Sequence, residues 1–339
     1  MYSFIVEDKS SNDLSVTGTY MRIVKDACVA TGNSVEYVKK GSHAKTKDMF
    51  IVTDTLHTAF VYIQKGYSNH IIWMQGITPE ESYMRRHSKL RFIILSQLEK
   101  IILKKAKLVL LVSEEMQRHY EEKYAIKLGQ KSVIMPCFNE DEMVKSSFYD
   151  DKYKQNNFVY VGSLHQWQCF EQTVHLYKKI ELSSSVPTKF YVFTFQKEAA
   201  IKLLNKNYVH NYQVGCVDKE ALSECLKSMK YGFVLRENFA VNNVATPTKL
   251  SNYLANGIVP IYSSTLKSFS KFDKMSSIGI VYDLNKPEEG LQRILGHMNT
   301  EMRSKEFCMK CIEAFDSYYN ADTYCRKITE KLLQLKINN

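Results

Sequence analysis

YGFVLRENFAVNNVATPTKLSNYLANGIVPIYS, residues 231–263, reads as a strand, a polar loop, a short helix and a second strand. Tyr231 to Leu235 is an apolar run of strand length that ends abruptly in Arg236 and Glu237. The stretch from Glu237 to Thr246, with Asn242 and Asn243, is too irregular for helix or strand. Thr246 and Pro247 have the chemistry of an N-cap and a first helical residue. The helix they open would carry Lys249 in its first turn and stop at Gly257, in the left-handed conformation, before the strand Ile258 to Tyr262. A lysine in a first turn is disfavoured by the helix dipole, by about 0.3–1 kcal/mol. An anion held by the first-turn amides, Lys249 and Arg236 would offset this. The plainer alternative is a solvated lysine and a surface arginine.

Outward from this stretch the chain alternates strand and helix in both directions. Towards the N-terminus, strands are expected at Tyr2 to Val6, Val35 to Val38, Phe50 to Thr53, Ile71 to Met74, Leu108 to Val112 and Ser132 to Met135. A polar loop from Glu7 leads through Gly18 into the first helix, and Pro79 opens a long helical stretch through Lys107. Nearer the opening stretch come strands at Phe158 to Val161, Phe190 to Phe195 and Tyr212 to Val214, and beyond it Ile278 to Tyr282. This pattern predicts an α/β chain of two doubly wound halves, each with a largely parallel sheet. The aperiodic, polar stretch Pro136 to Lys154 marks the junction. The domains are expected at 1–145 and 146–320, with 321–339 a C-terminal helix that packs back on the first domain. In such sheets ligands bind beyond the carboxyl ends of the strands, in a cleft if two sheets face each other. Those ends supply Gly18, Gln75 and Gly76, Ser113 and Glu114, Gly162 and Ser163, Gly215 and Cys216, and Arg236 and Glu237.

The 339 residues suffice for two domains, and the composition is that of an ordinary globular protein. The net charge of +10 suits a polyanionic partner: nucleic acid, nucleotide phosphates or an anionic membrane surface. No nucleic-acid-binding signature is present. Eight cysteines without a secretory signal ahead of them favour reduced thiols and a cytoplasmic setting. The single CxxC, Cys308 and Cys311, has no second pair, and His57, His119 and His175 sit in helical patterns as structural or surface residues. No run of eighteen apolar residues exists to span a membrane.

Neither GxGxxG nor GxxxxGK[ST] occurs, which argues against hydride transfer and ATP hydrolysis. No Asp-x-Asp stands at a strand end to hold a metal-bridged diphosphate, so charge neutralisation would fall to Arg and Lys. VLRENFAVNNVATPTKLSNYLANGIVPI resembles the donor-binding segment of family 4 retaining glycosyltransferases, of the bacterial polysaccharide type. Their core reads Pro-x-Lys-x-x-Glu-Tyr-Leu-Ala-x-Gly. FVYVGSLHQWQCFEQ is similar to the first strand and loop of their C-terminal domain, and IIWMQGITPEES to an acceptor-side strand end of the N-terminal domain.

The resemblance implies the GT-B fold, two facing Rossmann-like domains with an interdomain cleft. It also implies transfer of a sugar, with retention, from a nucleotide diphosphate sugar to a glycan or lipid-linked acceptor in surface polysaccharide synthesis. No metal or other cofactor is implied; the nucleotide sugar is the donor substrate. Arg236 and Lys249 would contact the diphosphate, with Glu237 beside them as the third catalytic residue. Gly162, Ser163, Gly215, Cys216, Asn242, Asn243, Thr246 and Asn252 would line the donor, and Gly18, Gln75, Gly76 and Glu80 the acceptor. Asn252 stands where the family has the glutamate that holds the ribose, and Val244 where it has the other glutamate. His165, Gln166, Trp167 and Gln168 fill a loop that often carries Arg or Lys.

Residues 85–107 carry eight basic side chains (Arg85, Arg86, Lys89, Arg91, Lys100, Lys104, Lys105 and Lys107) against one acid, Glu99. This basic side suits peripheral contact with an anionic membrane on the inner face of the cell membrane; a solvated basic face is the alternative. Two rival functions use other chemistry. A GT-B-like nucleotide-sugar epimerase would need carboxylates and a histidine poised together. A non-catalytic glycosyltransferase-like subunit would bind a partner enzyme or membrane.

Overall fold

A computed structural model describes residues 1–5, 16–38, 49–139 and 142–337. Most of the polar loop expected after Tyr2 to Val6, and Glu140 in the expected junction, lie outside the described residues. The chain divides into two compact units. The first comprises Met1–Cys137, Asn243–Thr246 and Asn320–Asn339, and the second Phe138–Asn242 and Pro247–Tyr319.

The first unit is built on six parallel strands: β1 (Tyr2–Ile5), β2 (Val35–Tyr37), β3 (Phe50–Thr53), β4 (His70–Met74), β5 (Leu108–Leu111) and β6 (Ser132–Ile134). Their spatial order is β2-β1-β3-β4-β5-β6. β3, β4 and β5 are buried along their whole length, which is why they read as unbroken apolar runs rather than as alternation. The order reverses between β1 and β3, so the switch point of this sheet lies there. Tyr20, on the helix Val16–Ala30, stacks on Trp73 with ring centroids 4.0 Å apart. The C-terminal helix Ala321–Ile337 packs on Val16–Ala30, and Thr329 Oγ1 donates to Ala27 O at 3.3 Å.

The single helix expected from Pro79 to Lys107 is two helices, Thr78–Arg86 and Lys89–Lys105. His87 adopts φ 50° and its amide bonds Tyr83 O, which closes the first helix. Ser88 then accepts from the Arg91 amide at 3.3 Å and starts the second.

The second unit repeats the plan with β7 (Asn156–Val161), β8 (Thr188–Phe193), β9 (Tyr212–Gly215), β10 (Tyr231–Val234), β11 (Val259–Ser263) and β12 (Ile280–Tyr282). All are parallel, in the order β12-β11-β10-β7-β8-β9. The connections run one way from β7 and the other way from β10, so these neighbours flank the switch point. Phe158 on β7 stacks on Tyr231 and Phe233 of β10, with centroids 4.7 and 5.5 Å away, and fills the core beneath it.

The helix Lys249–Ala255 lies close on β10. A Cβ on Gly232 would come within 2.4 Å of the Tyr253 ring, so this strand position admits only glycine at that approach. The far end of the helix is fastened by residues 144–153. Val144 N donates to Ala255 O at 2.8 Å and Tyr153 OH to Gly257 O at 2.9 Å, while the buried Lys152 ammonium donates to Asn256 O. Burial pulls the Lys152 pKa down to about 7. Gly257 has φ +62°, the left-handed stop expected from the sequence.

Candidate anion-binding site

The carboxyl ends of β7 and β10 bring Gly162 and Arg236 together, and the helix Lys249–Ala255 adds Lys249 from above. Arg236 leaves β10 with its amide bonded to Ser263 Oγ at the end of β11, 2.7 Å away. Its guanidinium turns inward: Nη1 donates to Leu235 O at 2.7 Å and Gln168 O at 3.3 Å, and Nη2 to Gln168 Oε1 at 2.7 Å. Lys249 Nζ donates to the same Gln168 Oε1 at 3.0 Å and stands 4.2 Å from the centroid of the Tyr160 ring. A cation over a tyrosine face gains from the ring quadrupole. Gly162 passes beside this ammonium with φ +129°, and a Cβ there would lie 3.4 Å from Nζ. That backbone conformation is one that side-chain-bearing residues rarely adopt, which accounts for the glycine.

Both cations are buried, at 3% exposure for Arg236 and 8% for Lys249. The charged and titratable groups facing them are Tyr160, Cys169 and Tyr253 around Arg236, and Arg236 and Cys169 around Lys249. No carboxylate is among these described neighbours. Glu237, the nearest acid in sequence, directs its carboxylate to Gln172 Nε2 instead. Burial first, and the Arg236 charge second, push the Lys249 pKa well below its usual value. A guanidinium keeps its proton regardless. Two buried cations side by side, bridged by one neutral amide oxygen, make a place that an anion would stabilise.

The turn that supplies Gln168 is itself tied to the end of β10. Residues Gln166–Gln168 form one turn of 3-10 helix, Cys169 follows with φ 52°, and its sulfur accepts from the Glu237 amide at 3.2 Å. Asn242, buried, donates through Nδ2 to Glu237 O at 2.9 Å and fixes the start of the loop. Arg236, Lys249, Glu237, Gly162 and Asn242 are therefore assembled in one place. Ser163, next to Gly162, accepts the Tyr160 hydroxyl on its main-chain oxygen at 2.6 Å.

The other expected residues have the following places and partners. Gly215 ends β9 and Cys216 follows it, three strands from β10, which at about 4.8 Å per strand is roughly 14 Å away. Thr246 does not cap the helix: its Oγ1 accepts from Cys137 N at 3.0 Å, and the helix begins at Lys249 after Thr248, whose backbone is already helical. Thr246 and Asn243 belong to the first unit. Asn252 is 5% exposed, and its Oδ1 receives Ser251 Oγ at 3.5 Å.

In the first unit, Gln75 is exposed beyond β4, and Gly76 O accepts the Tyr120 hydroxyl at 2.9 Å. Glu80 pairs with Lys123 at 2.7 Å, and His119 Nε2 lies 3.2 Å from its carboxylate. Gly18 is not a turn glycine at a strand end; it is buried inside the helix Val16–Ala30. Sequence reasoning missed the ring of Tyr160, the bridging oxygen of Gln168 and the sulfur of Cys169, although FVYVGSLHQWQCFEQ contained all three. It also missed Asp54, buried just beyond β3 at the first sheet's switch point. An acidic residue directly after a buried strand was the available signal.

No protein-family model matches the chain, and no curated protein matches it. Solved structures match it in fold. A point mutant of TarM from S. aureus, in complex with Fondaparinux, alpha-GlcNAc-glycerol and UDP, is 12% identical with a TM-score of 0.63; the match covers 86% of this chain and 56% of that one. The chain thus spans little more than half the length of TarM. Sucrose-phosphate synthase from Thermosynechococcus elongatus is 12% identical with a TM-score of 0.70, and each chain is covered in full. The structure described as trehalose-6-phosphate from E. coli bound with UDP-2-fluoro glucose is 9% identical with a TM-score of 0.68, over 97% of this chain and 99% of that one. The two doubly wound parallel sheets of this chain are therefore the α/β, GT-B fold that its sequence resembled.

Proposed function

We propose that the chain is a retaining glycosyltransferase that moves a sugar from a nucleotide diphosphate sugar to a glycan or lipid-linked acceptor in surface polysaccharide synthesis, without a metal. The observation that carries this reading is the pair Arg236 and Lys249, buried at the switch point of the second sheet with no carboxylate among their described neighbours. A departing nucleoside diphosphate gains negative charge as the bond from the sugar C1 to the phosphate oxygen breaks. Two fixed cations placed for that charge lower the barrier more than they stabilise the ground state. The acceptor oxygen bonds C1 on the face the phosphate leaves, and its proton passes to the departing phosphate oxygen. Solved structures of similar fold hold UDP or a UDP sugar, which supports this donor class.

The test is sugar transfer or donor hydrolysis with UDP, GDP, CDP and ADP sugars in the presence of EDTA. Activity with one of them, reduced at least about a hundredfold in Lys249→Ala, is expected. Full activity in that variant would refute the assigned role.

A lipid-borne acceptor fits a second feature. On the helix Lys89–Lys105, Leu90, Ile93, Ile94 and Ile101 are 69, 55, 58 and 40% exposed. At 100° per residue they fall in one stripe about 100° wide, with Lys89 and Lys100 along one margin, Arg91 along the other and Lys104 and Lys105 at its end. An apolar stripe with basic margins suits an anionic bilayer surface. No described helix is long and apolar enough to cross a membrane. The protein is expected to sediment with phosphatidylglycerol vesicles and not with phosphatidylcholine vesicles, and Ile94→Asp to weaken this; equal partitioning to both vesicles would sink the proposal.

A further inference from the structure

Gln168 stands where an anion oxygen would have to go. Its Oε1 lies 2.7 Å from Arg236 Nη2 and 3.0 Å from Lys249 Nζ, distances at which a phosphate oxygen would also sit. One oxygen thus already occupies the point that both cations reach. Arg236 and Lys249 are buried, whereas Gln168 is half-buried, so of the three residues it is the one most open to solvent. The turn does not depend on that amide. Gln168 N donates to His165 O at 2.8 Å, and Gln168 O accepts from Arg236 Nη1. The side chain can therefore rotate away while the main chain stays bonded.

We propose that Gln168 is a displaceable placeholder, a positioning residue whose amide oxygen holds the two cations together in the empty protein and gives up its place to a diphosphate oxygen. The inference rests on the diphosphate reading above. It has an unusual consequence: stability and affinity move in opposite directions at this position. Every bound diphosphate must first break the two Gln168 bonds, so measured affinity is what remains after that exchange. Truncating the side chain leaves two buried donors unsatisfied in the empty protein and removes the competitor. A carboxylate of the same shape does the reverse, because it neutralises the cations and competes with phosphate as a permanently tethered anion.

The experiment is calorimetric titration of inorganic pyrophosphate and of UDP into wild type, Gln168→Ala and Gln168→Glu, beside thermal unfolding of each empty protein. Gln168→Ala should unfold at a lower Tm and bind roughly tenfold more tightly, a change of ~1.4 kcal/mol. Gln168→Glu should unfold at a higher Tm and bind at least about a hundredfold more weakly. A wild type that binds neither pyrophosphate nor UDP overturns the diphosphate reading and this inference with it. A wild type that binds, with both variants weaker in affinity and stability alike, shows an ordinary structural contact and overturns the inference alone. Where Gln168→Ala does not fold, Gln168→Glu decides: wild-type affinity there overturns the placeholder role.

Discussion

Each unit buries a cluster of charged side chains, and the two clusters are resolved in opposite ways. In the first unit Lys123 lies between Glu80 at 2.7 Å and Glu99 at 3.4 Å, and Tyr124 OH donates to Glu99 at 2.6 Å. Glu99 is completely buried, and that burial lifts its pKa to about 7 against the opposing pull of Tyr124 and Lys123. In the second unit Arg236 and Lys249 have only a neutral oxygen between them. The first cluster carries both signs of charge from its own chain, tying the helices Thr78–Arg86, Lys89–Lys105 and Glu114–Tyr124 together. The second is incomplete. Burying unpaired charge costs stability, and such a cost is most simply explained where a ligand supplies the missing sign.

This contrast is exposed to three tests, of which the largest effect belongs to Lys249. Lys249→Met should remove turnover, a loss on the order of a hundredfold or more, while raising the stability of the empty protein by about 1 kcal/mol because an unpaired buried ammonium is gone. Lys123→Met should do the opposite. Turnover and nucleotide affinity stay near wild type, and stability falls by roughly 2–3 kcal/mol, less than for a fully buried pair because Lys123 keeps some solvent contact. Chemical denaturation and donor turnover on the same two variants read both effects. If Lys249→Met destabilises and Lys123→Met abolishes turnover, the roles assigned to the two clusters are reversed. The smallest effect is the pH dependence of affinity. The Lys249 pKa is depressed in the empty site and rises when an anion arrives, so binding takes up a proton. Affinity should therefore fall as pH rises through the interval between those two values.

Much of the fold was legible because parallel strands buried on both faces leave long apolar runs, and each run here ends in a recognisable break such as Gly162 after β7 or Arg236 after β10. Gly257 was readable too, since a left-handed helix stop has a local cause. The break at His87 was not. Histidine seldom takes that conformation, and only Ser88 hinted at a second helix start. Thr246 looked like a cap by local chemistry, yet its hydroxyl is used by an amide 109 positions away, a contact no local pattern encodes. The same applies to the site. Arg236 and Lys249 were visible through their positions at a strand end and near a helix start, and through the family resemblance. Gln168, 68 residues from Arg236 and 81 from Lys249, looked like a simple absence of the usual basic residue. Its part depends on the pairing of β7 with β10, which brings the two loops together.

Arg236 and Lys249 are proposed as the residues that receive a diphosphate. Calorimetric titration of the wild-type protein with UDP, GDP, CDP and ADP, repeated in buffers of different ionisation enthalpy, tests this most directly. Saturable binding of at least one of these nucleotides is expected, with uptake of a proton between the Lys249 pKa values of the empty and the occupied site and loss of binding in Lys249→Met. No binding of any of the four, or binding that survives unchanged in Lys249→Met, would contradict the proposal.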